Sequence, residues 1–178
     1  KRLHKLANKY KTTISIFWIN LFKSDSKGFF YIKDSVQSAK IATNYPVYYK
    51  ARNTYQFNIF LPFFMVHQSY DRPESELLFK LTNYSHKEEI DGAAYVDFWK
   101  SINVDNFHKV KNFFPTEPKN AWKRLGYIPA KDINQLVEQI EKSGIKVSRF
   151  YLYKKNIIQN ILRIGPIFKW YQKLINKH

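Results

Sequence analysis

Alternating apolar and polar residues along the chain predict five strands. In the stretch TISIFWINLF, Ile14, Ile16 and Trp18 fall two apart, which is the spacing of a strand with one buried face. Similar runs of β-branched and aromatic residues follow, and Pro62 indicates a bulge or an edge position for the longest run. A two-residue turn between the third and fourth runs requires antiparallel pairing. We expect strands near residues 13–22, 28–33, 46–51, 54–66 and 145–153.

Apolar residues at helical spacing, preceded by start signals, predict helices mainly between residues 71 and 142. Asp71 and Glu74, with Pro73 between them, precede a leucine-rich run and form a helix start signal. Asp132 opens the clearest helix, whose apolar stripe ends before Gly144 and the predicted fifth strand. Weaker signals predict further helices over residues 34–42, 90–102, 105–114 and 117–127.

These elements together predict a mixed α+β fold. We expect a mainly antiparallel sheet with helices packed on it and a C-terminal amphipathic helix. The length of 178 residues suits one basic α+β domain, which we place at residues 1–155, followed by an amphipathic helical tail at residues 156–178.

The last twelve residues, IFKWYQKLINKH, follow a helical pattern with one apolar and one basic face. An amphipathic stripe usually packs on its own domain. Here Lys169, Lys173 and Lys177 line a polar face without an acid, and rings stand at the edge of the apolar stripe, which favours an attachment element. We expect it to bind a partner protein or a membrane surface through the residues of the stripe, Ile167, Phe168, Trp170, Tyr171, Leu174 and Ile175.

The charge balance changes the picture of function. Thirty Lys and Arg stand against fourteen Asp and Glu, which leaves a net charge of +16. Residues with A/T-rich codons (Phe, Tyr, Met, Ile, Asn and Lys) make up 85 of 178, so part of the lysine and aromatic excess reflects an A/T-rich genome. That bias does not explain the scarcity of acids, because Asp and Glu codons tolerate A and T nearly as well. A surplus of this size favours a polyanionic partner.

The common catalytic signatures are missing from the sequence. The chain has no cysteine, which excludes disulfides, thiolate metal sites and a cysteine nucleophile. Its five glycines form no phosphate-binding loop, and neither G-x-S-x-G nor H-E-x-x-H occurs. No apolar run approaches the roughly 20 residues of a membrane-spanning helix. We expect a non-catalytic protein without a cofactor or a metal.

One enzyme hypothesis stays open, an uncommon transferase or nuclease acting on an anionic substrate. His67 and Asp71 lie between a strand and a helix, and His86 and Glu88 precede another helix, so the four side chains could share a cleft. The structural interpretation is favoured for both pairs. Asp71 is expected to cap its helix, and acids in a first helical turn interact favourably with the helix dipole.

Cations interleaved with aromatic residues, as in AWKRLGY and RFYLYKK, are typical of surfaces that bind RNA. For any single patch, solvated lysines beside core rings are an equally good interpretation, but the total charge favours a polyanion. The candidate phosphate contacts are Lys1, Arg2, Lys5, Lys9, Lys11, Lys119, Lys123, Arg124, Lys154 and Lys155.

The sequence therefore predicts a basic structural component of a large assembly, RNA-binding and ribosomal-protein-like. The protein would act inside the cell, in an organelle such as the mitochondrion, among the other proteins of that assembly. The alternative is a membrane-peripheral subunit of an organellar complex, attached through the C-terminal helix.

Overall fold

The protein has an α+β fold built on a five-stranded antiparallel sheet. A computed structural model describes residues 11–33, 37–48, 56–83, 87–116, 122–145 and 147–161. The strands run in the order β3-β1-β2-β5, and β4 also pairs with β1. Their bounds are β1 Thr12–Ser24, β2 Gly28–Lys33, β3 Ser38–Thr43, β4 Phe57–His67 and β5 Arg124–Pro129.

Four α-helices lie within the described ranges: α1 Glu74–Thr82, α2 Gly92–Ser101, α3 Ile133–Lys142 and α4 Arg149–Ile161. Two short 3-10 helices, Lys87–Glu89 and Phe107–Lys109, flank α2. Asp132 begins α3 as predicted, since its carboxylate accepts a hydrogen bond from the Gln135 backbone N–H over 2.8 Å. Gly144 follows α3 with a φ of +69°, a conformation that glycine adopts without strain.

The chain divides into two compact units. The first comprises residues 1–17, 38–64 and 146–178, and the second comprises residues 18–37 and 65–145. The predicted boundary between a domain ending at residue 155 and a tail from residue 156 stays a prediction. The attachment residues named for that tail (Ile167, Phe168, Trp170, Tyr171, Leu174 and Ile175) lie outside the described residues.

The second unit has an aromatic-rich core. Phe22, Phe30, Leu77 and Trp99 are among its buried side chains, which come from strands and helices alike. Burial of each such side chain contributes about 1.5–3 kcal/mol relative to exposure. Lys23 reaches the C-terminal end of α2, where its Nζ donates hydrogen bonds to the carbonyl oxygens of Trp99, Lys100 and Ile102 at 3.1, 2.8 and 2.7 Å. Carbonyls in the last turn of a helix lack the N–H four residues on that would continue the helical pattern, so the lysine caps α2.

The first unit contains buried polar pairs beside its apolar residues. Thr13 Oγ1 donates to Gln56 Oε1 over 3.0 Å, and Ser15 Oγ donates to Asn58 Oδ1 over 2.8 Å. All four residues are buried. A buried polar group without a partner would cost about 1–3 kcal/mol, so this pairing is needed for the two segments to lie together.

The structure confirms the predicted strands over residues 13–22, 28–33 and 54–66 as β1, β2 and β4, and the main predicted helices as α1, α2 and α3. Asp71 does not cap α1. The N-cap position is Pro73, without a side-chain hydrogen bond, and the Asp71 carboxylate accepts from Ser24 Oγ over 2.6 Å.

Three predicted elements are wrong in type. The helix expected over residues 34–42 is the strand β3 from Ser38, because this segment pairs along β1 from Thr13↔Thr43 to Phe17↔Ser38. Residues 149–153 of the strand expected over residues 145–153 form the start of helix α4 instead. Residues 124–127 of the predicted helix 117–127 belong to strand β5, which pairs with β2 over six positions. In each case a contact distant in sequence overrides the local preference.

Two further elements differ in extent. Residues 46–48 of the predicted strand 46–51 form no strand, and residues 49–51 lie outside the described ranges. The helix expected over residues 105–114 is only the 3-10 helix Phe107–Lys109. The two-residue turn predicted before β4, at Arg52 and Asn53, lies outside the described residues.

Candidate nucleic-acid interface

The net charge of the protein falls entirely within the chain segments of the first unit. Residues 1–17, 38–64 and 146–178 contain sixteen Lys and Arg and no Asp or Glu. Residues 18–37 and 65–145 contain fourteen of each and are neutral overall. No anionic side chain of its own sequence can neutralise the cations of the first unit. A basic composition of this kind is the charge distribution expected of a polyanion-binding protein.

Helix α4 is held in the first unit by a hydrogen-bonded side chain. The Asn156 amide accepts from the Phe60 backbone N–H over 2.8 Å and donates to the Phe60 carbonyl oxygen over 3.2 Å. Both backbone groups of a strand residue are thereby satisfied by one helix side chain. The contact fixes the position of α4 along β4 as well as its rotation.

Aromatic contacts hold the same face of α4. The Tyr151 ring lies 6.2 Å from the Phe17 ring, centroid to centroid. Lys155 Nζ lies 5.1 Å from the Phe60 ring centroid and 5.4 Å from that of Tyr151, at distances where a cation is attracted to an aromatic face. Lys155 is therefore half-buried among rings, and its ammonium group is positioned by them.

The opposite face of α4 is solvent-exposed and unusually aromatic. The side chains of Phe150 and Tyr153 are 74% and 66% exposed. Arg149 and Lys154 stand beside them and are exposed as well. These four residues are hereafter called the α4 outer face. The arrangement offers two rings for stacking and two cations for phosphate, which is the chemistry of single-stranded nucleic-acid binding.

The predicted phosphate contacts fall into two groups. Lys11, Lys154 and Lys155 belong to the first unit, and Lys11 Nζ lies 3.7 Å from the centroid of the Tyr45 ring. Lys123 and Arg124 belong to the second unit, where both are exposed near the start of β5. The structure therefore does not place all the predicted cations on one unit. The remaining candidates, Lys1, Arg2, Lys5, Lys9 and Lys119, lie outside the described residues.

His67 is the last residue of β4 and belongs to a series of hydrogen-bonded polar side chains within the second unit. Its Nδ1 is 2.8 Å from Asn20 Oδ1, and the Asn20 amide donates to Gln37 Oε1. Because Asn20 Oδ1 can only accept, Nδ1 carries the proton and Nε2 is the basic nitrogen. The Trp18 ring stacks on the imidazole at 4.4 Å. Burial, and then the charges of Lys80 and Arg72, lower the pKa of His67.

The structure describes three of the four residues named in the enzyme hypothesis. His67 pairs with Asn20, whereas Asp71 pairs with Ser24. Glu88 is exposed in a 3-10 helix, and His86 lies outside the described residues. Within the described ranges, no three His, Asp or Glu side chains are grouped closely enough to hold a metal ion. His67 is thus accounted for by its neighbours.

A second cationic feature, which the sequence did not indicate, is formed by Lys80 of α1 and by Arg72, which precedes this helix. Lys80 Nζ donates to the Ser69 carbonyl oxygen over 2.7 Å, and Arg72 Nε donates to the same oxygen over 3.2 Å. Burial, together with the Arg72 charge, lowers the pKa of Lys80 to about 8. A cavity of about 550 Å³ adjoins both cations, and Glu76, which also lines it, pairs with Arg72 at 3.6 Å. The paired acid makes this cavity a weaker anion site than the acid-free segments.

No protein-family model, curated protein or solved structure matches the chain. Within the described residues, no helix is long and apolar enough to cross a membrane.

Proposed function

We propose that the protein is a non-catalytic RNA-binding component of a large assembly, ribosomal-protein-like in character. The observation that carries this proposal is the segregation of charge: sixteen cations and no acid in the segments of the first unit, against a neutral second unit. A small domain needs a net charge of only about 2–8 for solubility. Sixteen like charges in one unit repel each other, and phosphate groups would neutralise them.

The second unit suits a different role in such an assembly. It is neutral overall and has a well-packed aromatic core. A unit of this kind gains little from phosphate, so we assign it to structural support and to contact with neighbouring proteins. The excess of amino acids with A/T-rich codons supports an organelle such as the mitochondrion as the location of the assembly.

RNA binding can be tested with two charge-matched triple variants. The first, Lys11→Gln/Arg149→Gln/Lys154→Gln, removes three exposed cations from the acid-free segments. The second, Lys27→Gln/Lys109→Gln/Lys131→Gln, removes three exposed cations from the neutral unit. Both variants lose the same net charge, so a difference between them reports location rather than total charge.

Fluorescence anisotropy with a labelled RNA would be recorded from low to high salt. For wild type we expect affinity to fall steeply with salt, because each neutralised phosphate releases counterions. The first triple variant should bind more weakly and reduce the slope of log K against log salt by about 2–3, whereas the second should leave it nearly unchanged. Salt-independent or absent binding by wild type would overturn the proposal. Equal effects of the two variants would remove the assignment to the first unit.

A further inference from the structure

Two exposed rings on α4 have no structural explanation within the described chain. Phe150 and Tyr153 are three positions apart, so their side chains are neighbours on the helix surface. At 74% and 66% exposure they bury little area, and the contacts that hold α4 come from Tyr151, Lys155 and Asn156 instead. Two adjacent large rings left in water on a packed helix form an exposed apolar patch, and the cations beside the patch decide what it suits.

The rings cannot turn inward without loss of the packing that positions the helix. A rotation of α4 that buried Phe150 would withdraw Asn156 from both backbone groups of Phe60. It would also move Lys155 away from the Phe60 and Tyr151 rings. The α4 outer face is therefore presented on a helix whose rotation is already fixed, which lowers the entropic cost of binding a ligand there.

The charges beside the rings select the kind of ligand. Arg149 and Lys154 flank the two rings within six residues, and no acid occurs in the segments of this unit. An anionic ligand that also presents flat apolar groups would satisfy both features at once. Unpaired nucleotides meet this description, because their phosphates pair with cations and their bases stack on aromatic side chains.

We infer that the α4 outer face binds unpaired bases of single-stranded RNA, with Phe150 and Tyr153 as stacking platforms and Arg149 and Lys154 as phosphate contacts. The inference rests on the proposed RNA binding and adds to it a preference for unpaired over duplex RNA. A duplex keeps its base faces stacked internally, so it can engage the two cations but not the two rings.

A bilayer fits this face less well than RNA. A helix that lies on a membrane buries a continuous apolar stripe over several turns. On the described part of α4 the exposed apolar side chains are two rings and Ile158, with cations on both sides of the rings. Anionic vesicles are therefore an arm of the test rather than a second proposal.

The test compares two double variants that each remove two exposed apolar side chains from a helix. Phe150→Ala/Tyr153→Ala alters the α4 outer face, and Ile133→Ala/Val137→Ala removes two exposed apolar side chains from α3 in the neutral unit. Affinity would be measured for a single-stranded RNA of about 12 nucleotides and for a duplex of the same length. Thermal melting of each variant would check that the fold is intact.

We expect the α4 double variant to bind the single strand at least tenfold more weakly, since each stacked base contributes substantially to affinity. Its affinity for the duplex and the salt dependence of binding should stay unchanged, because no cation is removed. The control variant should behave like wild type. As a direct readout, Phe150→Trp should keep the affinity, and its fluorescence should be quenched by the single strand.

Each other outcome has a distinct meaning. Unchanged single-strand affinity in the α4 variant, with wild-type RNA binding intact, overturns this inference and leaves the proposed function standing. Equal losses for single strand and duplex also overturn it. If wild type binds no RNA but binds vesicles of anionic phospholipid, and the α4 variant loses that binding, both proposals fail and the face is a membrane contact.

Discussion

The ring of Tyr31 covers Gly126 across the β2–β5 pair. The two residues are register partners, and a Cβ added at Gly126 would lie 2.4 Å from two atoms of the Tyr31 ring. A side chain at position 126 would therefore have to displace the ring. Glycine fits at position 126 because it leaves room for the Tyr31 ring. The ring in turn covers the strand where the glycine has no side chain, an arrangement called aromatic rescue.

We predict that Gly126→Ala destabilises the protein by about 1–3 kcal/mol through overpacking. The same substitution in a Tyr31→Thr background should cost much less, because the obstructing ring is absent. Urea unfolding of the four proteins in this cycle gives the coupling energy.

Gly28 supplies the matched control for that cycle. A Cβ there would meet the Tyr127 ring at 2.7 Å and also the Ile128 carbonyl oxygen at 2.5 Å. Because a backbone atom obstructs it, Gly28→Ala should stay costly when Tyr127 is replaced by Thr. Similar rescue at both glycines, or none at Gly126, would contradict the steric explanation.

The Asn156 bridge to Phe60 gives a second prediction. Asn156→Leu removes the partners of one backbone N–H and one carbonyl oxygen, so we expect a loss of about 1–3 kcal/mol in the free energy of unfolding. Asn134→Leu replaces an exposed asparagine of α3 and should change stability by less than about 0.5 kcal/mol. Equal effects of the two substitutions would show that the bridge does not hold α4.

The lowered pKa of Lys80 predicts a pH dependence of stability. The folded protein releases this proton near pH 8, mainly because of burial, whereas an unfolded lysine keeps it up to its ordinary pKa of 10.5. Between these values the unfolded chain binds more protons, so stability rises with pH. The contribution of Lys80 is present in full above 10.5 and is lost as pH falls through about 8.

The difference between wild type and Lys80→Met isolates this effect from other titrating groups. In urea unfolding from about pH 7 to about pH 10.5, wild type should gain stability relative to the variant as pH rises. A difference that stays constant, or that changes in the opposite direction, would show that Lys80 keeps an ordinary pKa in the folded protein.

The C-terminal segment carries the last prediction. Deletion of residues 166–178 removes the basic amphipathic pattern, and we expect loss of association with the assembly at an unchanged melting temperature. Co-sedimentation and thermal melting of the truncated protein measure these two effects separately. A fall in Tm of several degrees with association intact would mean that the segment belongs to the core.

The sequence was sufficient for elements whose local pattern and tertiary environment agree. α3 is an example, because its Asp132 cap, apolar stripe and Gly144 stop all indicate one helix. Prediction from the sequence failed for elements whose local pattern and tertiary environment disagree. Ser38–Thr43 contains good helix formers such as Ala39 and Lys40, yet pairing along β1 makes it a strand. The aromatic run from Phe150 favours a strand, yet helical spacing is what brings Tyr151 and Lys155 together against Phe17.

Only part of the candidate interface could be predicted from the sequence, because the rest depends on which segments and faces the fold brings together. The surplus of cations is plain, but the complete lack of acids appears only when three separate segments are counted together. The exposure of Phe150 and Tyr153 likewise depends on which face of α4 packs inward. A count of acids in every long stretch would have given part of this signal, since residues 38–64 contain none.

The acid-free segments also have a consequence for how many copies of this protein a cell would retain. Under the proposed function, a copy without RNA keeps the full repulsion of its cations and is the less stable form. A polyanion at a hundred times its Kd adds about 2.7 kcal/mol to the free energy of unfolding. Copies made in excess of their RNA would then unfold more often and be removed by proteases. Production could exceed demand, and the number of surviving molecules would still follow the number of binding sites.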